Sequence, residues 1–216
     1  MSQEKEIDCL RKEMEVDQFH LRYEWVAGLM QANIQNISRE LAAEEHREVV
    51  KSFQSRMKTP ESIYHKLDEK GLQSSLADAR AALYDLIGIR IIVMFLDDVY
   101  KMEEGLCSIP GLHLLRRKDY IKDPKENGYR SLHLIFQIEI RHNGAMQCEM
   151  FEVQIRTMAM DCWSALDHQM IYKQRISNIE GIKAELEQYS QEIAAMDYRM
   201  MEIRDAITRG GHICSE

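Results

Sequence analysis

The five cysteines (Cys9, Cys107, Cys148, Cys162, Cys214) are odd in number and nowhere spaced as C-x-x-C. Neither a disulfide framework nor a thiolate zinc site is indicated, and a reducing cytoplasm is the expected compartment. Long apolar runs are also missing. The longest, Ile91 to Leu96, is far short of the roughly 20 residues of a membrane span. The opening MSQEKEIDCL is charged and has no apolar h-region, so no signal peptide is expected. Without one, the sequon Asn36-Ile37-Ser38 reads as a chance match. Neither G-x-x-x-x-G-K-[ST] nor G-x-G-x-x-G occurs, which excludes the common phosphate-cradling loops. No local signature supports a Ser-His-Asp or Cys-His hydrolase. Excess positive charge is absent too: the formal net charge is −8, which argues against a general nucleic-acid coat and requires any basic site to be local.

What is present is a chain of 216 residues, 45% hydrophobic and 30% charged, with no repeats or low-complexity tracts. That fits one globular domain with helical additions, long enough to bury a core. From about Glu4 to Lys51 there is no proline, and Phe19, Tyr23, Val26, Met30, Ile34, Ile37 and Leu41 recur at helical spacing. One long helix is expected, or two with a break near Asn33. Thr59-Pro60-Glu61-Ser62 starts another helix that ends before Gly71. LIGIRIIVMFL (86–96) reads as a strand buried on both faces, with Asp97-Asp98 capping a helix through about Cys107. Pro110-Gly111 breaks that helix, and LHLLRRKDYI reads as a second strand.

Asn143-Gly144 is the clearest local signal, a type I′ turn between two alternating segments. A two-residue turn there fixes the register. Leu132 faces Ile155, Leu134 faces Val153 and Phe136 faces Phe151 on an apolar side, while Ser131 meets Arg156, His133 meets Gln154 and Ile135 meets Glu152 on the other. One face builds a core and the other gathers polar groups. The helix after Thr157 carries Asp161, Ser164, Ala165, His168 and Tyr172 on one stripe, and its N-terminus is a natural place for an anion. From Ile179 to Ile207 apolar residues recur at 3-4 spacing. Such a seam either packs on its own domain or meets another copy.

Several residues fit chemistry, each beside a plainer reading. Arg90, inside a buried strand, needs a carboxylate, a phosphate or an aromatic plane; the plain partner is Asp85 or another acid. Asp85 and Glu152 are an ordinary helix-end acid and strand-face acid, or two Mg²⁺ ligands of which one accepts a hydroxyl proton. Arg56, Lys58 and Lys66, with Ser62, make either a phosphate cluster or a solvated face. In KDYIKDPKENGYRSLHLIF (118–136) Tyr129 either packs in a corner or stacks on a base, with Lys118, Lys122, Lys125 and Arg130 serving phosphates. His168 alone reads more readily as structural.

Taken together, SRMKTPESIYHKL, DLIGIRIIVMF, KDYIKDPKENGYRSLHLIF and EVQIRTMAMDCWSALDHQMIYK, in that order, resemble the synthetase domain of the RelA/SpoT-type alarmone enzymes in its single-domain form, the small alarmone synthetases. The resemblance implies an α+β fold of the nucleotidyltransferase type: a mixed sheet of about five strands flanked by helices, with long N- and C-terminal helices. It divides the chain into a helical segment (1–50), the synthetase domain (51–175) and a C-terminal helix (176–216) forming a homotetramer contact. The implied reaction moves the β,γ-pyrophosphate of ATP to the 3′-hydroxyl of GDP or GTP, with Mg²⁺ as cofactor. By the same resemblance Arg56 and Arg90 sandwich adenine, and Lys58, Ser62 and Lys66 hold the ATP phosphates. Asp85 and Glu152 bind the metal, and Glu152 is the base. Tyr129 stacks on guanine, and Lys118, Lys125, Asn127, Arg130 and His133 surround the acceptor. Gln154, Arg156 and His168 line the same pocket. No His-Asp dipeptide occurs and the chain leaves no room for the regulatory modules of multidomain relatives, so alarmone hydrolysis is not expected. Some relatives carry asparagine where this chain has Asp161. The competing class is a non-catalytic module that binds guanine nucleotides or single-stranded RNA, and a regulatory nucleotide or RNA stays open as a further partner. The two acids discriminate: a pure anion binder has no use for them.

Overall fold

The computed structural model describes residues 3–171 and 179–210. Its N-terminal stretch is two helices, α1 (Gln3–Val16) and α2 (Phe19–Glu45), and the break lies at Gln18 rather than near Asn33. Gln18 adopts φ 54, an uncommon value for a residue with a Cβ. A buried knot holds it there: Arg22 donates to Asp17 at 2.8 Å and to Glu149 at 3.1 Å, and the His142 ring bonds the Asp17 carbonyl at 2.8 Å. Asn33 instead donates to the Leu29 carbonyl one turn back, inside an unbroken helix.

Strand β1 (Val50–Met57) follows, an element its polar sequence does not announce. Next comes α3 (Pro60–Glu69), whose N-cap Thr59 accepts from the Ser62 N–H at 3.3 Å. The short α4 (Leu76–Ala82) is likewise unannounced and starts at the capping Ser75. β2 (Ile87–Val93) leads into α5 (Leu96–Cys107). The N-cap of α5 is Phe95, and Asp98 serves from the first turn by accepting the Phe95 N–H at 3.1 Å. β3 (Leu112–Asp119), β4 (Leu132–His142), β5 (Ala145–Thr157), α6 (Met158–Ile171) and α7 (Ile179–Gly210) complete the order.

The strands form one mixed sheet, β1-β2-β5-β4-β3, with β2 and β5 parallel and the other pairs antiparallel. Asn143 and Gly144 hold φ 50 and 78, as a type I′ turn requires. The register Leu132–Ile155, Leu134–Val153, Phe136–Phe151 is therefore as the turn dictates. One sheet face carries Ile89, Leu134, Phe136, Phe151, Val153 and Ile155, all essentially inaccessible, against α2 and α5. The other face is open around Gly88 and Arg90, which are half-covered, and closes toward the end of β2, where Ile92 on that same face is 8% exposed.

Helix α7 docks in an unexpected way. Leu186, Ser190, Asp197 and Arg204 face the domain, the last three spaced by seven residues, or about two turns. Trp163 donates to the Leu186 carbonyl at 3.0 Å, Thr157 to Asp197 at 2.6 Å, and Arg204 to Asp97 at 2.7 Å. The apolar seam lies roughly a quarter-turn away. The seam is divided: Leu186 packs on the domain at 5% exposed, whereas Tyr189, Met196, Met200, Ile203 and Ile207 are 44–69% exposed and are left for another partner. Tyr172, expected on the α6 stripe, lies outside the described residues.

Candidate active site

Strand register sets two rows of side chains across the open face. Gln54, Arg90, Gln154, His133 and Lys118 are neighbours on five consecutive strands, and Arg56, Gly88, Glu152, Ile135 and Arg116 form the next row. Positions two apart share a face, so both rows look the same way. Gly88 contributes no side chain. Beside it opens a cavity of about 240 Å³ lined by Arg56, Asp85, Arg90, Glu152 and Gln154. A second cavity of about 620 Å³ shares Arg56, Asp85, Glu152 and Gln154 with the first. Its wall gathers seven Lys and Arg side chains against three acids. They arrive from β1 (Arg56), from around α3 (Lys58, Lys66, Lys70), from β3 (Arg116, Lys118) and from the loop after it (Lys125). A chain of net negative charge thus holds a local cationic basin.

The two acids at the junction are held in different ways. Asp85 Oδ2 accepts from Lys58 Nζ at 2.5 Å and from Lys66 Nζ at 2.6 Å. Burial pushes the Asp85 carboxyl up, but these two ammonium groups outweigh it and leave it below the usual carboxylate range. The same burial holds the Lys58 ammonium below its ordinary value. Glu152 is also buried, yet hydrogen bonds from His133 and Gln154 leave it below the ordinary value. His133 Nδ1 lies 2.9 Å from Glu152 Oε1, and Gln154 Nε2 donates to Oε2 at 2.7 Å. His133 Nε2 in turn lies 2.7 Å from the Tyr129 hydroxyl, which accepts from Arg156 at 2.6 Å. A proton on Nδ1 satisfies every partner: Arg156 donates to Tyr129, Tyr129 to His133, and His133 to the ionised Glu152.

The profile described as "Region found in RelA / SpoT proteins" matches residues 55–177. The chain belongs to the RelA/SpoT family. Among relatives, GTP pyrophosphokinase YwaC of Bacillus subtilis (strain 168) is 31% identical over 187 residues, covering 87% of this chain and 89% of that protein. GTP pyrophosphokinase YjbM of the same organism is 32% identical over 125 residues, 58% of this chain and 59% of that one. The crystal structure of the small alarmone synthetase 1 from B. subtilis bound to its product pppGpp superposes with TM-score 0.80 at 26% identity, covering 90% of this chain and 98% of that chain. The B. subtilis small alarmone synthetase 2 superposes with TM-score 0.76 at 31% identity, over 86% and 96%.

Within this RelA/SpoT site the structure sorts the expected residues. Arg56, Lys58, Lys66, Asp85, Lys118, Lys125, Tyr129, His133, Glu152 and Gln154 line the larger cavity, and Arg90 lines the smaller. Arg156 lies beneath, 3% exposed, with its guanidinium carbon 5.1 Å from the Tyr129 ring centroid. Arg156 lines neither cavity, and four further expected residues do not line them either. Ser62 bonds the Thr59 hydroxyl at the start of α3. Asn127 accepts the Tyr129 N–H at 3.3 Å and donates to Asp167 at 3.4 Å, which shapes the loop. Arg130 donates to the Ile121 carbonyl at 2.8 Å. His168 sits on α6, outside the lining. The acid beside Arg90 is Asp161, at 3.4 Å, because Asp85 is taken by the lysines. Asp161 also accepts from Arg156 at 3.2 Å. The α6 N-terminus is not a free anion site either: Thr157 takes the Met160 N–H at 3.1 Å, and Asp161 stands in the first turn.

Lys70, Arg116 and Tyr120 line the cavity without having been singled out. Tyr120 meets the His133 ring edge-on at 5.1 Å, with Lys125 Nζ 4.8 Å from its own centroid. The signal for two of them was available: 116, 118 and 120 are alternate residues of one strand and its continuation, so they share a face.

Proposed function

We propose that this chain transfers the β,γ-pyrophosphate of ATP to the 3′-hydroxyl of GDP or GTP, giving ppGpp or pppGpp and AMP. One observation carries the reading: two ionised acids stand at the junction of two cavities within a basin of seven cations. Two anionic substrates need the cations, and activation of an alcohol needs an acid among them. The kinship with GTP pyrophosphokinases supports the same reading.

In this scheme the smaller cavity takes the donor base between Arg56 and Arg90, and Lys58 and Lys66 hold the donor phosphates. The larger cavity takes the acceptor, with Tyr129 beside its base and Lys118 and Lys125 at its phosphates. The 3′-oxygen attacks the β-phosphorus, the bond to the bridging oxygen on the α-phosphate breaks, and AMP leaves. The hydroxyl proton passes to Glu152, which His133 and Gln154 hold in place. In-line positioning and charge neutralisation supply most of such a rate.

Asp85 and Glu152 fit Mg²⁺ as ionised oxygen donors that line one cavity: Asp85 Oδ1 is not taken by either lysine, and each Glu152 oxygen keeps a lone pair beyond its bond to His133 or Gln154. Bound there, Mg²⁺ would offset negative charge on the transferred group. Among the described residues four cysteines are free and exposed, which suits a cytoplasmic setting, and no helix is long and apolar enough to cross a membrane. The exposed α7 seam supports a homo-oligomer, for which we propose a tetramer.

The test is incubation with ATP, Mg²⁺ and GDP or GTP, followed by separation of nucleotides. AMP and a 3′-pyrophosphorylated guanine nucleotide should appear in equal amounts. Absence of product with either acceptor would overturn the enzyme reading and leave a nucleotide- or RNA-binding module.

A further inference from the structure

The loop between β3 and β4 presents Tyr129, yet its turn is closed mostly by local bonds. Lys125 N–H reaches the Tyr129 carbonyl at 3.2 Å, and Gly128 N–H reaches the Lys125 carbonyl at 2.7 Å. The anchor beneath the turn comes from far along the chain. Ser190 of α7, 3% exposed, donates its hydroxyl to the Gly128 carbonyl. A second, independent observation places the α7 backbone at the same point. A Cβ on Gly128 would fall 2.7 Å from Ser190 Cβ and 3.1 Å from Glu187 Cα, and Gly128 itself holds φ +85. Glycine is therefore required at 128 twice over, by the left-handed turn and by the helix lying against it.

We propose that Ser190 is a positioning residue for the acceptor nucleotide: through the Gly128 carbonyl, α7 sets where the loop holds Tyr129. The inference rests on the acceptor role given to Tyr129 above. The donor cavity is lined by β1 and β2 with Asp85 and with Glu152 and Gln154 of β5, and Lys58 and Lys66 stand around α3; the Ser190 hydroxyl bonds none of these. Loss of the bond therefore separates the two substrates. A loop held in its binding conformation spares the acceptor the ordering of that loop. Release of the Gly128 carbonyl makes the acceptor bear it.

The experiment compares Ser190→Ala with the native chain. Alanine is smaller and a stronger helix former, so α7 keeps its structure. Two readouts are taken: KM for GDP and for ATP separately, and amide hydrogen exchange across residues 121–131. We expect an acceptor KM raised about three- to tenfold, the scale of one neutral buried hydrogen bond, an unchanged ATP KM, and faster exchange between Lys125 and Tyr129. Unchanged exchange in the loop would overturn the proposal. So would equal rises in both KM values, which would report general loosening. If the native chain makes no product, the functional reading fails, and the exchange measurement still decides whether Ser190 holds the loop.

Discussion

The Arg156 guanidinium donates to the Tyr129 hydroxyl across 2.6 Å, joining a buried strand residue to the tip of a loop 27 positions earlier. The same hydroxyl meets His133, and His133 meets Glu152. The ring of Tyr129 and its hydroxyl therefore have separable tasks in the proposed reaction: the ring lines the larger cavity, which we assign to the acceptor, and the hydroxyl is tied through His133 to Glu152, the proposed base.

Tyr129→Phe keeps the ring and removes the link. The expected outcome is a kcat lower by roughly tenfold, about 1.4 kcal/mol of barrier, with acceptor KM within about twofold of native. Tyr129→Ala should in addition weaken the acceptor by ~1–3 kcal/mol, the range for loss of a base–aromatic stack. Steady-state rates with GDP varied at saturating ATP separate the two. Equal rises in acceptor KM for both variants would show that the hydroxyl, not the ring, holds the acceptor.

The carboxylates predict the acid side of the pH profile. Asp85 and Glu152 both titrate below their ordinary values of 3.8 and 4.5, because their donors outweigh burial. A depressed folded pKa contributes stability that is present above the unfolded pKa and disappears as pH falls through the folded one. These two groups should therefore add no slope to stability or to kcat/KM between about pH 6 and 8. Their loss should appear only below the ordinary values. Urea midpoints and kcat/KM taken across pH 3.5 to 8 check this, and an acid limb in kcat/KM near pH 6 that Glu152→Gln abolishes would contradict the assignment.

How much of this was legible beforehand depends on the distance over which each feature is determined. Asn143-Gly144 fixes the β4–β5 register through two residues, so the placement of His133, Glu152 and Gln154 on one face followed from sequence alone. β1 did not follow. VKSFQSRM lies at a sheet edge with a polar outer face, so Arg56 reads from sequence as one member of a basic cluster and not as a sheet position beside Gly88. The break at Gln18 depends on Glu149 and His142, more than 120 residues away, which no local pattern encodes. Asp161 is 71 positions from Arg90 and could not be chosen over Asp85 by proximity. On α7 the apolar spacing was real but its direction was not encoded: the polar stripe docks because a backbone carbonyl, a threonine and an aspartate are its partners.

The knot at the α1–α2 junction predicts a purely structural effect. Glu149 accepts from Arg22 and from Arg80 at 3.1 and 2.9 Å, and Glu149 and Arg22 are each 3% exposed. Removal of a sole partner from a buried charge is worth about 3–5 kcal/mol. Arg22 keeps Asp17 and Gln147, so Glu149→Ala should destabilise by about 2–4 kcal/mol, below that range. The urea midpoint should fall accordingly, while kcat and both KM values measured well below the transition stay native. A change in KM at full folding would mean that the knot reaches the site.

The outer seam of α7 gives the test of assembly. Met200 and Ile203 are 50% and 53% exposed, so charges placed there keep access to water and should change single-chain stability by about 0.5 kcal/mol or little more. In an oligomer the same positions are covered, and each apolar side chain removed from water contributes roughly 1.5–3 kcal/mol. Glutamates facing one another across such a contact would lose that burial and add repulsion. The double variant Met200→Glu, Ile203→Glu should therefore leave helix content unchanged and reduce the solution mass toward the 25.4 kDa of one chain. Light scattering on native and variant protein at matched concentration decides it. A native chain already at the single-chain mass would remove the reason for the exposed seam that we propose, and an assembled variant would move the contact to another surface.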